Sequence, residues 1–182
     1  MKLQNICVYC GSREGNDPLY AAAGDRFGKL MAEAGVGLVY GGGSIGIMGR
    51  LARSVLAHGG RVTGVIPDFL SKFEIPLHEV TELIITQSMH ERKQIMFERA
   101  DAFVALPGGI GTLEETVEML TWAQLGRHKN PIVLANIGDF WGPLIELFDH
   151  MIIADFARSN VRGIYSVVDR VEDILPRIKA AL

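Results

Sequence analysis

The chain has 182 residues, of which 48% are hydrophobic and 21% charged. That excludes a disordered chain and is enough for one domain with a substantial core. Its 18 basic and 21 acidic residues leave a net charge of −3, which argues against nucleic acid or an anionic membrane as a partner, since both favour a surplus of Lys and Arg.

Met1 to Asn5 lead directly into strand-like sequence without the apolar core of a signal peptide, so a cytoplasmic location is expected. The first strand spans Leu3 to Tyr9. It carries Cys7, and Cys10 follows it. A redox Cys-x-x-Cys belongs at a helix N-terminus and a zinc site needs further ligands, so Cys7, inside Ile6-Cys7-Val8-Tyr9, reads as a small core residue. An amphipathic helix follows over Leu19 to Ala34, then strands over Val36 to Tyr40, Val62 to Ile66, Leu83 to Thr86 and Ala102 to Leu106. A second clear helix covers Thr112 to Leu125, and strands over Ile132 to Ala135 and Ile164 to Val168 complete the series. Strands apolar on both faces, alternating with helices, predict an α/β fold: a single-domain, Rossmann-like three-layer sandwich over residues 1–182 with a parallel sheet of about seven strands.

In such a sheet, ligands sit beyond the carboxyl ends of the strands. Four loops leave those ends with unusual composition: Cys10-Gly11-Ser12, Gly41 to Gly49, Ser88 to Lys93, and Pro107 to Glu115. A glycine-rich turn feeding a helix exposes backbone N–H groups and the positive end of the helix dipole, which suits a phosphate. Gly41 to Gly49 and Pro107 to Thr112 both have this layout. Neither continues as Gly-Lys-Ser/Thr, and the first strand–helix turn lacks the dinucleotide fingerprint. For Gly41 to Gly49, close packing and phosphate binding are equally good readings.

Thr112-Leu113-Glu114-Glu115 has the form of a capping box, with Thr112 as N-cap and Glu115 reaching back to it. The same geometry sets the Glu115 carboxylate beside a phosphate-bearing ligand. Glu114 is turned by about 100° and is expected to be solvated. Ser88 and Glu91 repeat the capping pattern. Arg92 and Lys93 then fall near the positive end of the dipole, where cations are disfavoured, so either a bound anion or a surface pairing with acids such as Glu91 must offset them. The five histidines show no metal-ligand spacing, and neither metal nor cofactor is expected.

Pro107-Gly108-Gly109-Ile110-Gly111-Thr112-Leu113-Glu114-Glu115 resembles the PGGxGTxxE signature of the LOG (Lonely Guy) family, and Met89-His90-Glu91-Arg92-Lys93 resembles its MHxRK segment. The likeness runs from Cys7 to about Pro131. It implies a cytokinin riboside 5′-monophosphate phosphoribohydrolase or AMP nucleosidase, which hydrolyses the N-glycosidic bond between an adenine base and ribose 5-phosphate in a small nucleoside 5′-monophosphate. Arg92 and Glu115 fall on the catalytic positions. Substrate-binding positions fall on Ser12, Gly43, Glu74, Met89, Lys93, Gly108, Gly109, Ile110, Gly111, Thr112 and Thr121. A homodimer is implied as well. Sequences of this kind are often labelled lysine decarboxylases, but no lysine here stands in a pyridoxal phosphate context. Ile110 replaces a common aromatic, and Met151 to Asn160 follows the family pattern poorly, so plain AMP stands beside prenylated AMP as substrate. The alternative from another class is a phosphate-ligand carrier of the molybdenum-cofactor type. It would need the glycine loop but no carboxylate facing an anomeric carbon.

Overall fold

The apolar runs pair as neighbouring parallel strands because most of them are buried on both faces. The structure, a computed structural model, describes residues 3–72 and 75–182. Within these residues the strands are β1 (Asn5–Tyr9), β2 (Gly37–Tyr40), β3 (Val62–Pro67), β4 (Glu82–Thr86), β5 (Ala102–Ala105), β6 (Ile132–Ala135) and β7 (Ser166–Val168). All pairings are parallel, in the order β4-β3-β2-β1-β5-β6-β7. The last strand is shorter than its apolar run because Ile164 caps a 3-10 turn over Ser159–Gly163. Burial on both faces fails at β4, an edge strand, where Glu82 and Ile85 are exposed.

The helices are α1 (Pro18–Glu33), α2 (Gly46–Ala57), α3 (Met89–Glu98), α4 (Ile110–Gln124), α5 (Gly142–Ile153) and α6 (Ile174–Ala181). Side chains alternate along β1, so Ile6, Val8 and Cys10 pack on one side against α1, α2 and α6. Cys7 and Tyr9 pack on the other side against Met96 of α3, Met119 and Leu120 of α4, and Phe148 of α5. These are the three expected layers. Both cysteines are buried and free, and burial pushes their thiols well above the ordinary range, so they are core residues without a redox environment.

The chain builds outward from β1 through β2, β3 and β4, then crosses to β5 and builds the other way. The switch therefore lies between β1 and β5, where an open parallel sheet leaves a crevice at its carboxyl edge. The two loops flanking it are tied together, Gly11 N–H donating to the Pro107 carbonyl at 3.0 Å.

Candidate active site

The start of α3 follows the local sequence closely. Ser88 Oγ accepts from the Glu91 N–H at 3.2 Å, and Glu91 Oε2 accepts from the Gln87 N–H at 2.7 Å, one residue further back than the usual box. This cap starts the helix at Met89 and turns Arg92 inward, against the surface reading of that residue. Arg92 is 7% exposed. Its Nε donates to the Val65 carbonyl within β3 at 3.2 Å, its Nη1 lies 3.8 Å from Met89 Sδ, and its Nη2 lies 2.9 Å from Glu115 Oε1. Space for the guanidinium comes from Gly41, because a Cβ there would collide with Nη2. The absence of a side chain on one loop thus leaves room for a charge carried by a helix.

Helix α4 begins earlier than the capping box predicts. Gly109, extended at φ −92° and ψ −157°, is the N-cap, so Thr112 lies inside the first turn and is not a cap. Glycine is tolerated at this position, and the free turn ahead of Thr112 is used to extend the helix. Thr112 is buried, and its carbonyl accepts from Thr116 Oγ1 at 2.6 Å. Glu115 consequently sits in the second turn, 8% exposed, facing α3. Glu114 is more than half exposed but is not simply solvated: its Oε1 lies 2.7 Å from Lys93 Nζ. Glu118 Oε1 lies 3.0 Å from the same ammonium. Burial alone would lower the Lys93 pKa, yet the two carboxylates outweigh it and hold the group above the usual lysine range.

The two glycine loops differ in what they offer a ligand. In Gly41 to Gly49 several N–H groups are already used: Ser44 donates to the Ile75 carbonyl at 2.9 Å and Met48 to the Gly11 carbonyl at 3.2 Å. Gly43 is buried and bridged to Pro76. Gly46 has φ +63°, and a Cβ on it would collide with the Ser12 backbone. Close packing accounts for this loop. At α4, by contrast, the N-cap has no side chain, and Gly109, Ile110 and Gly111 are exposed, Ile110 by 83%. The first-turn N–H groups of Ile110 and Gly111 therefore face an approachable surface at the positive end of the helix.

A buried Arg–Glu pair beside an open helix N-terminus at the carboxyl edge of a parallel sheet is the setting in which the comparisons with known proteins fall. The family described as "Possible lysine decarboxylase" matches residues 48–178. The cytokinin riboside 5′-monophosphate phosphoribohydrolase LOG of Oryza sativa subsp. japonica is 42% identical over 188 residues, covering 100% of this chain and 78% of its own. The chain belongs to the LOG family. The cytokinin riboside 5′-monophosphate phosphoribohydrolase of Rhodococcoides fascians is 38% identical, covering 97% of this chain and 90% of its own. Among solved structures, the molybdenum cofactor binding protein of Rippkaea orientalis superposes with a TM-score of 0.72 at 23% identity over 99% of this chain and 98% of its own, a likeness of fold.

Of the positions that the LOG resemblance marks, the structure brings Arg92, Glu115 and Met89 into contact or near contact and sets Gly108 to Thr112 beside them. Thr121 is not with them. It is exposed nearly two turns beyond Glu115, and its Oγ1 donates to the Val117 carbonyl at 2.8 Å. Glu74 lies outside the described residues. Ser12, Gly108 and Gly109 line a cavity of about 390 Å³ on the α1 side of the switch point. Sequence reasoning missed other residues on its wall, among them Arg13, Asn16, Tyr20 and Phe140. Tyr20 and Phe140 meet edge to face with centroids 5.5 Å apart. Phe140 follows β6 at the ligand-bearing edge, and that placement was the available signal.

Proposed function

We propose that this protein hydrolyses the N-glycosidic bond of adenosine 5′-monophosphate, prenylated or plain, releasing the free base and ribose 5-phosphate. The observation that carries this reading is the buried Arg92–Glu115 pair at 2.9 Å next to the exposed start of α4. As the bond from C1′ to the base nitrogen breaks, its electron pair goes to the base and positive charge develops on the ribose. The Glu115 carboxylate stabilises that charge and takes a proton from the water whose oxygen bonds to C1′. The base leaves with a proton of its own from solvent. Arg92 stays protonated, so its part is to orient the nucleotide and favour departure of the base by charge, while compensating Glu115 in the free enzyme. The N–H groups of Gly109 to Gly111 hold the 5′-phosphate at the helix N-terminus, with Ser12, Met89 and Thr112 around it, whereas Gly43, in the packed loop, is left out of the site.

A cofactor carrier needs the phosphate loop but has no use for a buried carboxylate held against an arginine, and this favours the hydrolase. Lysine decarboxylation draws no support from Lys93, whose ammonium is engaged by Glu114 and Glu118. No described helix is long and apolar enough to cross a membrane. With a nucleotide as substrate, we place the enzyme in the cytoplasm. Exposed Ile110, Val117, Leu147 and Met151 along α4 and α5 support a homodimer. The test is chromatography of products after incubation with AMP, prenylated AMP, the matching nucleosides and lysine. Base and ribose 5-phosphate should appear from the monophosphates alone. Intact nucleotides in every tube would remove the hydrolase reading.

A further inference from the structure

Gly41 directly follows β2 at the carboxyl edge of the sheet and is buried. Other glycines of its loop answer to the backbone. Gly42 and Gly46 have φ of +81° and +63°, and a Cβ on Gly49 would overlap the Ser44 carbonyl. Gly41 meets neither condition. Its backbone lies outside the left-handed region, and the three atoms nearest to a Cβ built on it all belong to side chains. They are Arg92 Nη2, which that Cβ would overlap, Met48 Sδ at 3.3 Å and Arg92 Cζ at 3.5 Å. The overlapped nitrogen is the one that lies 2.9 Å from Glu115 Oε1. Because the obstacle is the tip of a flexible side chain, a methyl group at position 41 is accommodated by moving the guanidinium and not the backbone. The shift needed to restore van der Waals separation is about 1 Å. An error of that size in placing a reacting group costs about a hundredfold in rate. A lysine at position 92 would end near the place of Cζ, where the same methyl makes an ordinary contact, so only an arginine needs the glycine.

We propose that Gly41 is a positioning residue for the hydrolysis that acts through Arg92: its missing side chain sets where Nη2 lies against Glu115, and positions 41 and 92 work as a pair. This rests on the hydrolase reading and gives Gly41 a part that neither phosphate binding nor the close packing of its loop describes. Gly41 itself touches neither the reacting atoms nor the phosphate.

The experiment is a double-mutant cycle over wild type, Gly41→Ala, Arg92→Lys and the double variant, read by steady-state kinetics on the monophosphate that the wild-type protein cleaves and by thermal melts. Gly41→Ala should fold, with kcat about tenfold or more below wild type. The double variant should lie within about twofold of Arg92→Lys alone, because the methyl group then has no guanidinium to displace. Likewise Gly41→Ala should lower Tm in the wild-type background, where it loosens the buried pair, and leave Tm unchanged in the Arg92→Lys background. A merely structural role for the glycine would give the same losses in both backgrounds. Wild-type kcat in Gly41→Ala overturns the proposal, as do losses that multiply in the double variant or an equal fall in Tm with and without Arg92. An unfolded Gly41→Ala overturns it too, since the methyl group would then be meeting the backbone. A wild-type protein inactive on every monophosphate removes the hydrolase reading instead, and the paired Tm values still decide whether Gly41 sets the position of Arg92.

Discussion

Arg92 and Glu115 are each less than a tenth exposed and face each other, so truncating either one strips a buried charge of its partner. Breaking such a pair costs about 3–5 kcal/mol in typical cases, more than any surface ion pair of this chain contributes. Glu115→Gln keeps the shape and an acceptor, so that variant should fold with a lowered melting temperature. Its turnover should fall by about a hundredfold or more, as for loss of a positioned acid–base group. Arg92→Ala should lower turnover similarly; near-normal rates in either variant would take that residue out of the mechanism. A second consequence concerns pH. Burial raises the pKa of Cys7, Cys10, Tyr9 and Tyr40 in the folded chain. Once the unfolded chain ionises at these groups, it binds fewer protons than the folded one, so stability is lost as pH rises above about 8.5. Lys93, raised in the fold, loses its contribution at higher pH still, in the same direction. Thermal melts should show Tm declining steadily above about pH 8.5; a constant Tm up to pH 10 would contradict burial of these groups.

Among the elements, the loop from β2 to α2 and the start of α4 look alike in sequence but do different work. The first is consumed by packing, with Gly46 at positive φ pressed on the Ser12 backbone. Gly46→Ala combines a left-handed conformation with a collision, so a loss of about 2 kcal/mol or more is expected. For a chain of this length that corresponds to a fall of about 5 °C or more in Tm, measurable by differential scanning fluorimetry. A variant as stable as wild type would mean that the loop has room to give, and would return it to the list of phosphate sites. The α4 loop is legible as a helix start, but its cap is misplaced by three residues, at Thr112 instead of Gly109. Thr112 satisfies the capping pattern as well as Gly109 does, and only the observed backbone shows which residue is extended. For α3 the local pattern decided the outcome, since Ser88 and Glu91 cap it with little help from distant residues.

For the whole molecule, the face formed by α4 and α5 leaves an apolar groove of about 270 Å³, lined by Leu113, Val117, Leu147, Phe148 and Met151 among others. A second copy of the chain would remove this surface from water. Light scattering on the eluting peak should report twice the 19.9 kDa chain mass. Val117→Asp, which sets a charge in the centre of the groove, should shift the peak to the single-chain mass. A wild-type peak at the mass of one chain would end the dimer reading.

The sequence by itself determined the layers and their order along the chain. Short apolar runs alternating with amphipathic helices leave a two-faced parallel sheet as the only way to bury both faces, and this is set by local periodicity. It also singled out Arg92 and Glu115, through two separate motifs, at fixed spacing, that resemble those of the LOG family. It could not give the strand order, which depends on where the crossover after β4 lands, nor the switch point between β1 and β5. Nor could it tell a surface arginine from a buried one, because the side chain missing at Gly41 and the carbonyl of Val65 come from loops and strands distant in sequence. The partners of Lys93 were decided in the same way. A lysine after an arginine at a helix start carries no mark of which carboxylates will meet it, and only the packing of α3 on α4 brings Glu114 and Glu118 within reach.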